Sequence, residues 1–210
     1  MSAPAPLGFD AVPIVAPPQM YRIDGQDRLV DVNDAYIQDA GDAGPTAAAI
    51  RATLLGRDFW SLIPEAAAWY EPLVRITRAE HRPFTFAFRC DTPTLRRLMR
   101  MHIEARLDGS VCFTSSVIRQ QSRTRVALLD PDAAVGLDLV SMCSWCKRVR
   151  AGDDWLEVEP ALDKLGIDPH DPMPGVSHGI CQRCKSELMA MTSSRSATMS
   201  IRLPGPADLR

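Results

Sequence analysis

Phe84, Phe86 and Phe88 alternate with Thr85 and Ala87, which predicts a strand with one aromatic face. Next, Leu98, Arg100, His102, Glu104 and Arg106 alternate with Arg97, Met99, Met101, Ile103 and Ala105. The second set is mainly apolar and the first mainly polar, as in a half-buried antiparallel strand. Asp108-Gly109 predicts a turn into a third long strand over residues 111–118. Nearer the start, Tyr21-Arg22-Ile23 and Leu29-Val30-Asp31-Val32 flank the turn residues Asp24-Gly25-Gln26-Asp27, a hairpin pattern. Asn33-Asp34 offers an N-cap to a short helix, and residues 46–55 predict another that stops at Gly56. A break falls between them at 42–45. Residues 65–80 predict a longer helix with Leu73 and Ile76 on its apolar side and its regular part beginning near Pro72. Trp60, Trp69 and the three phenylalanines are assigned to the core. Downstream, residues 119–125 are polar and basic, 133–142 predict a short helix, and 185–192 predict one or two helical turns.

The element order predicts an α+β fold: one five-stranded antiparallel sheet with helices on one face, followed by a small C-terminal unit. The expected partition is a flexible leader 1–19, a sheet domain 20–118, a linker 119–139, a cysteine module 140–188 and a flexible tail 189–210.

Composition narrows the function. The chain has 210 residues, 46% hydrophobic, and a formal charge of −2. This excludes wholesale disorder and a protein that coats nucleic acid by charge alone. No apolar run approaches the ~20 residues of a membrane span. Residues 1–18 lack a basic region and are broken by prolines, so no secretory signal is expected and the chain is placed in the cytoplasm. In a reducing compartment the six cysteines point to metal or redox chemistry rather than disulfides.

Four of them form two C-x2-C pairs, Cys143/Cys146 and Cys181/Cys184, with 34 residues between the pairs. Each pair can turn both sulfurs toward one ion, and two pairs give the four tetrahedral ligands that Zn²⁺ prefers. The intervening segment has room for a hairpin and a helix, with Trp155, Leu156, Val158, Leu162, Leu165 and Ile167 as a small core. Four thiolates and Zn²⁺ carry a formal −2, which Lys147, Arg148, Arg150, Arg183 and Lys185 can offset. Full occupancy by cysteine points to a structural site, one zinc per chain. An iron–sulfur cluster is the rival metal reading. A thioredoxin-like site lacks its βαβ surroundings. His178, three residues before Cys181, is assigned to a turn rather than to the metal.

Asp24-Gly25 between short strands, Val32-Asn33, Leu55-Gly56-Arg57, a helix and three long strands together resemble a PAS-type sensor domain. Cys143-Ser-Trp-Cys146-Lys-Arg-Val149, Trp155-Leu-Glu157-Val-Glu159 and Ser177-His178-Gly-Ile-Cys181-Gln-Arg-Cys184 resemble a cysteine-rich module at the ends of bacterial signalling proteins. The resemblance covers about residues 20–190. It implies a five-stranded antiparallel sheet enclosing a pocket, and signal sensing or protein–protein contact. PAS domains take haem, flavin, small acids or nothing, so the pocket ligand stays open. Pairing into a homodimer is a further implication of the family.

Other residues invite chemistry. Arg89, Arg96, Arg97 and Arg100 are dense enough for an anion clamp. The competing reading is a solvated sheet face with Asp91 and Glu104 as partners, and it is preferred. Cys90 beside Arg89 is weighed as a redox thiol against a small buried hydrophobe. His81, His102 and Cys90 are the axial ligands a haem would find. No phosphate loop, Ser-His-Asp order or paired-acid motif stands out, so no catalytic residue is assigned and no enzyme is expected.

The leading expectation is a cytoplasmic bacterial sensor or adaptor with a signalling protein as partner. Removal of Cys181 is expected to unfold the zinc module and leave the sheet. One alternative is nucleic-acid binding through the basic module, with Trp145 exposed for base stacking. Another is a redox or gas sensor with an iron centre.

Overall fold

The computed structural model describes residues 16–40, 46–168 and 171–193. Most of the expected leader and tail lies outside these residues. Strands β1 (Gln19–Ile23) and β2 (Leu29–Val32) form the predicted hairpin. Asn33 then does three things at once. Its Oδ1 accepts from the Tyr36 and Met20 amides, and its Nδ2 donates to the Pro18 carbonyl. It thereby caps α1 (Asp34–Ala40) and fastens the chain before β1 to the start of that helix. Helix α2 (Ala47–Leu54) is capped by the Thr46 hydroxyl, which accepts from the Ala49 amide. Gly56 follows at φ +81°, a left-handed conformation that glycine adopts without a Cβ clash.

Helix α3 (Pro64–Glu80) has the predicted span but is regular throughout, not only from near Pro72. It starts at Pro64, where a missing amide costs nothing, and continues through Pro72 without ending. Burial explains this: Leu73, Val74 and Thr77, the turn after Pro72, are at most 1% exposed against the sheet. Tertiary packing thus overrides the local penalty of the proline.

Strands β3 (Phe84–Arg89), β4 (Leu95–Ala105) and β5 (Val111–Ser122) complete the antiparallel sheet in the order β2-β1-β5-β4-β3. The α+β architecture with five antiparallel strands and helices on one face is therefore as expected. Tyr21, Phe113, Ile103 and Phe84 sit opposite one another across successive strands and face the helices. Tyr21 stacks on Phe113 at 4.7 Å.

The segment expected as a linker, residues 119–139, carries structure. β5 runs to Ser122, and a 3-10 turn at Ala127–Leu129 buries Leu128. The short helix expected over 133–142 is instead a strand, β6 (Val135–Cys143). Its β-branched and leucine positions pair in parallel with β9 (Met173–Gly179), and that partner decides the conformation. Between them come the hairpin β7 (Val149–Ala151) and β8 (Asp154–Leu156), then α4 (Val158–Leu165). The second sheet has the order β8-β7-β6-β9. Its core joins Val140, Met142, Val149, Val158, Ala161 and Met173. Helix α5 (Gln182–Ser193) closes the described chain and extends past the expected module end at 188.

The cysteine module does not stand apart from the first sheet. Cys143, Trp145, Cys181, Cys184, Leu188 and Met191 belong to the same buried cluster as Phe84, Phe86, Leu73 and Ile103. Arg82, at the start of β3, donates to the Met191 and Thr192 carbonyls at the end of α5. No helix among the described residues is long and apolar enough to cross a membrane.

Candidate metal centre and its junction with the sheet

Cys143 is the last residue of β6, and Cys146 follows in a tight turn closed by Lys147 at φ +60°. The Lys147 amide donates to the Cys143 carbonyl, and the Cys143 amide donates to the Arg148 carbonyl. Cys181 precedes α5 and Cys184 lies in its first turn. The Cys181 amide points at the Cys143 sulfur (3.4 Å) and the Cys184 amide at the Cys181 sulfur (3.5 Å). Backbone amides aimed at sulfur favour the thiolate form that a metal needs. The strand end, the tight turn and the helix start thus bring the two sequence pairs to one point.

All four sulfurs lie within 4.8 Å of one another, and Cys146 and Cys181 are 3.8 Å apart. A tetrahedral ion with Zn–S bonds of ~2.3 Å requires sulfurs about 3.8 Å apart, so the donor set fits a single shared ion. It is far from the ~2.05 Å of a disulfide. A polynuclear iron–sulfur cluster spreads its cysteines over different irons and needs a wider set. A single iron in the same four thiolates is not separated from zinc by geometry. Contact with the Cys146 sulfur holds Cys143 below the ordinary thiol value, while contact with Cys143 pushes Cys146 and Cys184 above it. Four thiolates this close ionise together only around a cation. His178 stands exposed on β9 opposite Met142, rather than in the turn expected for it, and is not part of the four-residue group.

Trp145, expected to be exposed, is 6% exposed. Its ring lies 4.5 Å from Phe86 and 5.7 Å from Tyr70, and its Nε1 donates to the Ala87 carbonyl at 2.9 Å. Its own carbonyl accepts from the Arg89 amide at 2.8 Å. The residue between the first two ligands is therefore seated between β3 and α3. Ser144 adds a bond from its hydroxyl to the Glu65 carbonyl. The indole is withdrawn from any base-stacking surface. Nothing in the local sequence signals this, because Tyr70 and Phe86 come from the other sheet's elements.

The arginine cluster is likewise a junction. Arg89 is paired with Asp91 and Glu157, Arg96 with Glu159, and Arg123 with Asp91 and Glu159. Arg97 donates to the Cys90 carbonyl and lies 3.5 Å from its sulfur. Burial works against the Arg89 charge, but the hydrogen bonds and charges of Asp91 and Glu157 outweigh it and raise its pKa. Arg123 is lowered because burial prevails over its acids. Arg89 and Arg96 are thus occupied by carboxylates of this chain and are not an open anion clamp. Asp91 is a partner as expected. Glu104 instead faces His102 and Arg106, and the other acids are Glu157 and Glu159 of the second unit. The motif Trp155-Leu-Glu157-Val-Glu159, a tryptophan followed by acids, was the one place where the sequence singled out these two residues.

The haem positions do not converge. His81 is exposed at the end of α3, and His102 lies on the outer sheet face with its Nδ1 2.8 Å from the Thr85 hydroxyl.

No family model and no curated protein matches this sequence. Solved structures do show partial likeness. A sensory box sensor histidine kinase from Vibrio cholerae is 13% identical with TM-score 0.38, and the match covers 50% of this chain and 84% of that one. The PAS domain of Bordetella pertussis BvgS is 21% identical, TM-score 0.33, covering 49% and 73%. The photoactive yellow protein domain of the sensor histidine kinase Ppr from Rhodospirillum centenum is 14% identical, TM-score 0.34, covering 51% and 89%.

Proposed function

We propose that this chain is a sensor or adaptor of bacterial signalling, acting in the cytoplasm through ligand sensing or protein contact and not through catalysis. A PAS-like body, about residues 20–118, receives the signal or partner. One structural zinc ion held by Cys143, Cys146, Cys181 and Cys184 orders the segment 140–188, and Trp145 seats that segment on the body. The observation that carries the reading is the seat of Trp145. The residue between two metal ligands fills a slot formed by α3 and β3, so a shift of either element bears directly on the metal-held unit. Such a rigid coupling suits a protein that passes a conformational change to a partner.

Metal content and an absorption spectrum test the first half, on protein purified without chelator and beside Cys143→Ser. One colourless zinc per chain, lost in the variant, supports it. Iron with visible bands overturns it and makes redox or gas sensing the function. In-cell photo-crosslinking from the exposed Met20 position tests the second half. A kinase, cyclase or response regulator among the products supports the adaptor role, and their absence refutes it. Nucleic-acid binding is the weaker reading, since Trp145 is buried and Arg148 is paired with Glu157.

A further inference from the structure

A cleft of about 330 Å³ lies outside the first sheet, between the 3-10 turn at Ala127–Leu129 and the face of β6 and β9. Its deep wall is Leu128, Met142 and Met173, all at most 6% exposed, and its outer wall includes Ala133, Val135 and Val176. A volume of this size, mostly apolar with a few polar groups, is that of a small-molecule site.

The ionisable groups in the wall decide the class of ligand. Asp91 is taken by Arg89 and Arg123, and Asp130 by Arg125. Both carboxylates are therefore neutralised within the protein. Lys147 also lines the cleft, and among the described residues it forms no ion pair with a carboxylate. His178 completes the polar end. Partial desolvation first, and then the neighbouring Lys147 charge, hold its pKa below the ordinary histidine value, while Glu65 acts the other way. The cleft thus offers an apolar body and one cationic side chain that no carboxylate among the described residues pairs.

We infer that this cleft binds a small amphipathic carboxylate, with its apolar chain against Met142, Met173 and Leu128 and its carboxylate on Lys147. The site lies outside the PAS-like sheet, touching it only at Asp91 between β3 and β4, and does not depend on the sensory reading. It does touch the metal centre, because Lys147 follows the ligand Cys146 directly.

Isothermal titration of the metal-loaded full chain with octanoate tests this, with octylammonium as the opposite-charge control. Saturable octanoate binding is expected. Lys147→Gln should weaken it about tenfold, the loss of one charge-assisted contact. Ala133→Trp, at the half-buried rim, should abolish it with metal content and circular dichroism unchanged. Equal binding of octylammonium would show an unselective apolar surface and overturn the proposal. So would no saturation at millimolar octanoate, or binding unaffected by Ala133→Trp. A second copy is the rival occupant, because Leu137 and Leu139 beside the cleft are 104% and 75% exposed. Sedimentation showing a dimer that excludes octanoate would also refute it.

Discussion

Truncation of Trp145 to alanine tests whether the two sheets form one cooperative structure. The ring is 6% exposed and lies against Phe86 and Tyr70. Removing a buried aromatic of this size costs ~3–5 kcal/mol through lost transfer energy and the cavity left behind. The Nε1 bond to the Ala87 carbonyl adds about 1 kcal/mol. The contributions overlap, so ~3–5 kcal/mol is expected in total. That is a large part of the ~5–15 kcal/mol that holds a domain folded. Trp145→Phe keeps one aromatic ring but loses the pyrrole half of the indole and its bond, for a smaller cost of about 2–3 kcal/mol. Urea unfolding of the metal-loaded protein, followed by far-ultraviolet circular dichroism and tryptophan fluorescence, gives both values. Coincident transitions are expected for the parent chain. A cost below about 1 kcal/mol for the alanine variant, or two separate transitions in the parent, would refute the shared core.

Three further outcomes follow from the same structure. Chelation or Cys181→Ser should lower amide protection in β3 and α3 as well as around the cysteines, because all lie in one buried cluster. Unchanged exchange in β1–β5 would restore the separable module expected from sequence. Asp91→Ala leaves Arg89 and Arg123 buried without their shared, fully buried carboxylate, which should cost ~3–5 kcal/mol. In thermal unfolding this appears as a fall of roughly 6–20 °C, and a fall under 3 °C would contradict the pairing. Pro72→Ala restores a backbone donor inside α3 and should stabilise by about 1–3 kcal/mol. A lower melting temperature would mean that Pro72 has a packing role the helix needs.

The sequence was most legible where structure is decided locally. Alternation located β3 and β4, the Asp108-Gly109 turn led into β5, and Asn33 and Gly56 marked a cap and a stop that are present. The two cysteine pairs announced their cluster by spacing alone. What was missed depends on distant partners. Met173–Gly179 carries a proline and two glycines and becomes a strand only beside β6. Trp145 looked exposed because its slot is built from residues more than fifty positions away. Pro72 looked like a boundary because a local rule cannot weigh the burial of Leu73 and Val74.

The order in which the four clustered cysteines are made has a consequence for biosynthesis. Cys181 lies 38 residues after Cys143. At ~5–20 residues per second, the first pair waits roughly 2–8 s on the ribosome for the second. During that interval Trp145 has its slot available but Cys143 and Cys146 hold any metal with only half a ligand set. The nascent chain is then at its most vulnerable to thiol oxidation and to mispairing of the unfilled edge of β6. Conditions that slow elongation through residues 147–180 should therefore lower the yield of metal-loaded protein without changing the stability of the molecules that complete folding.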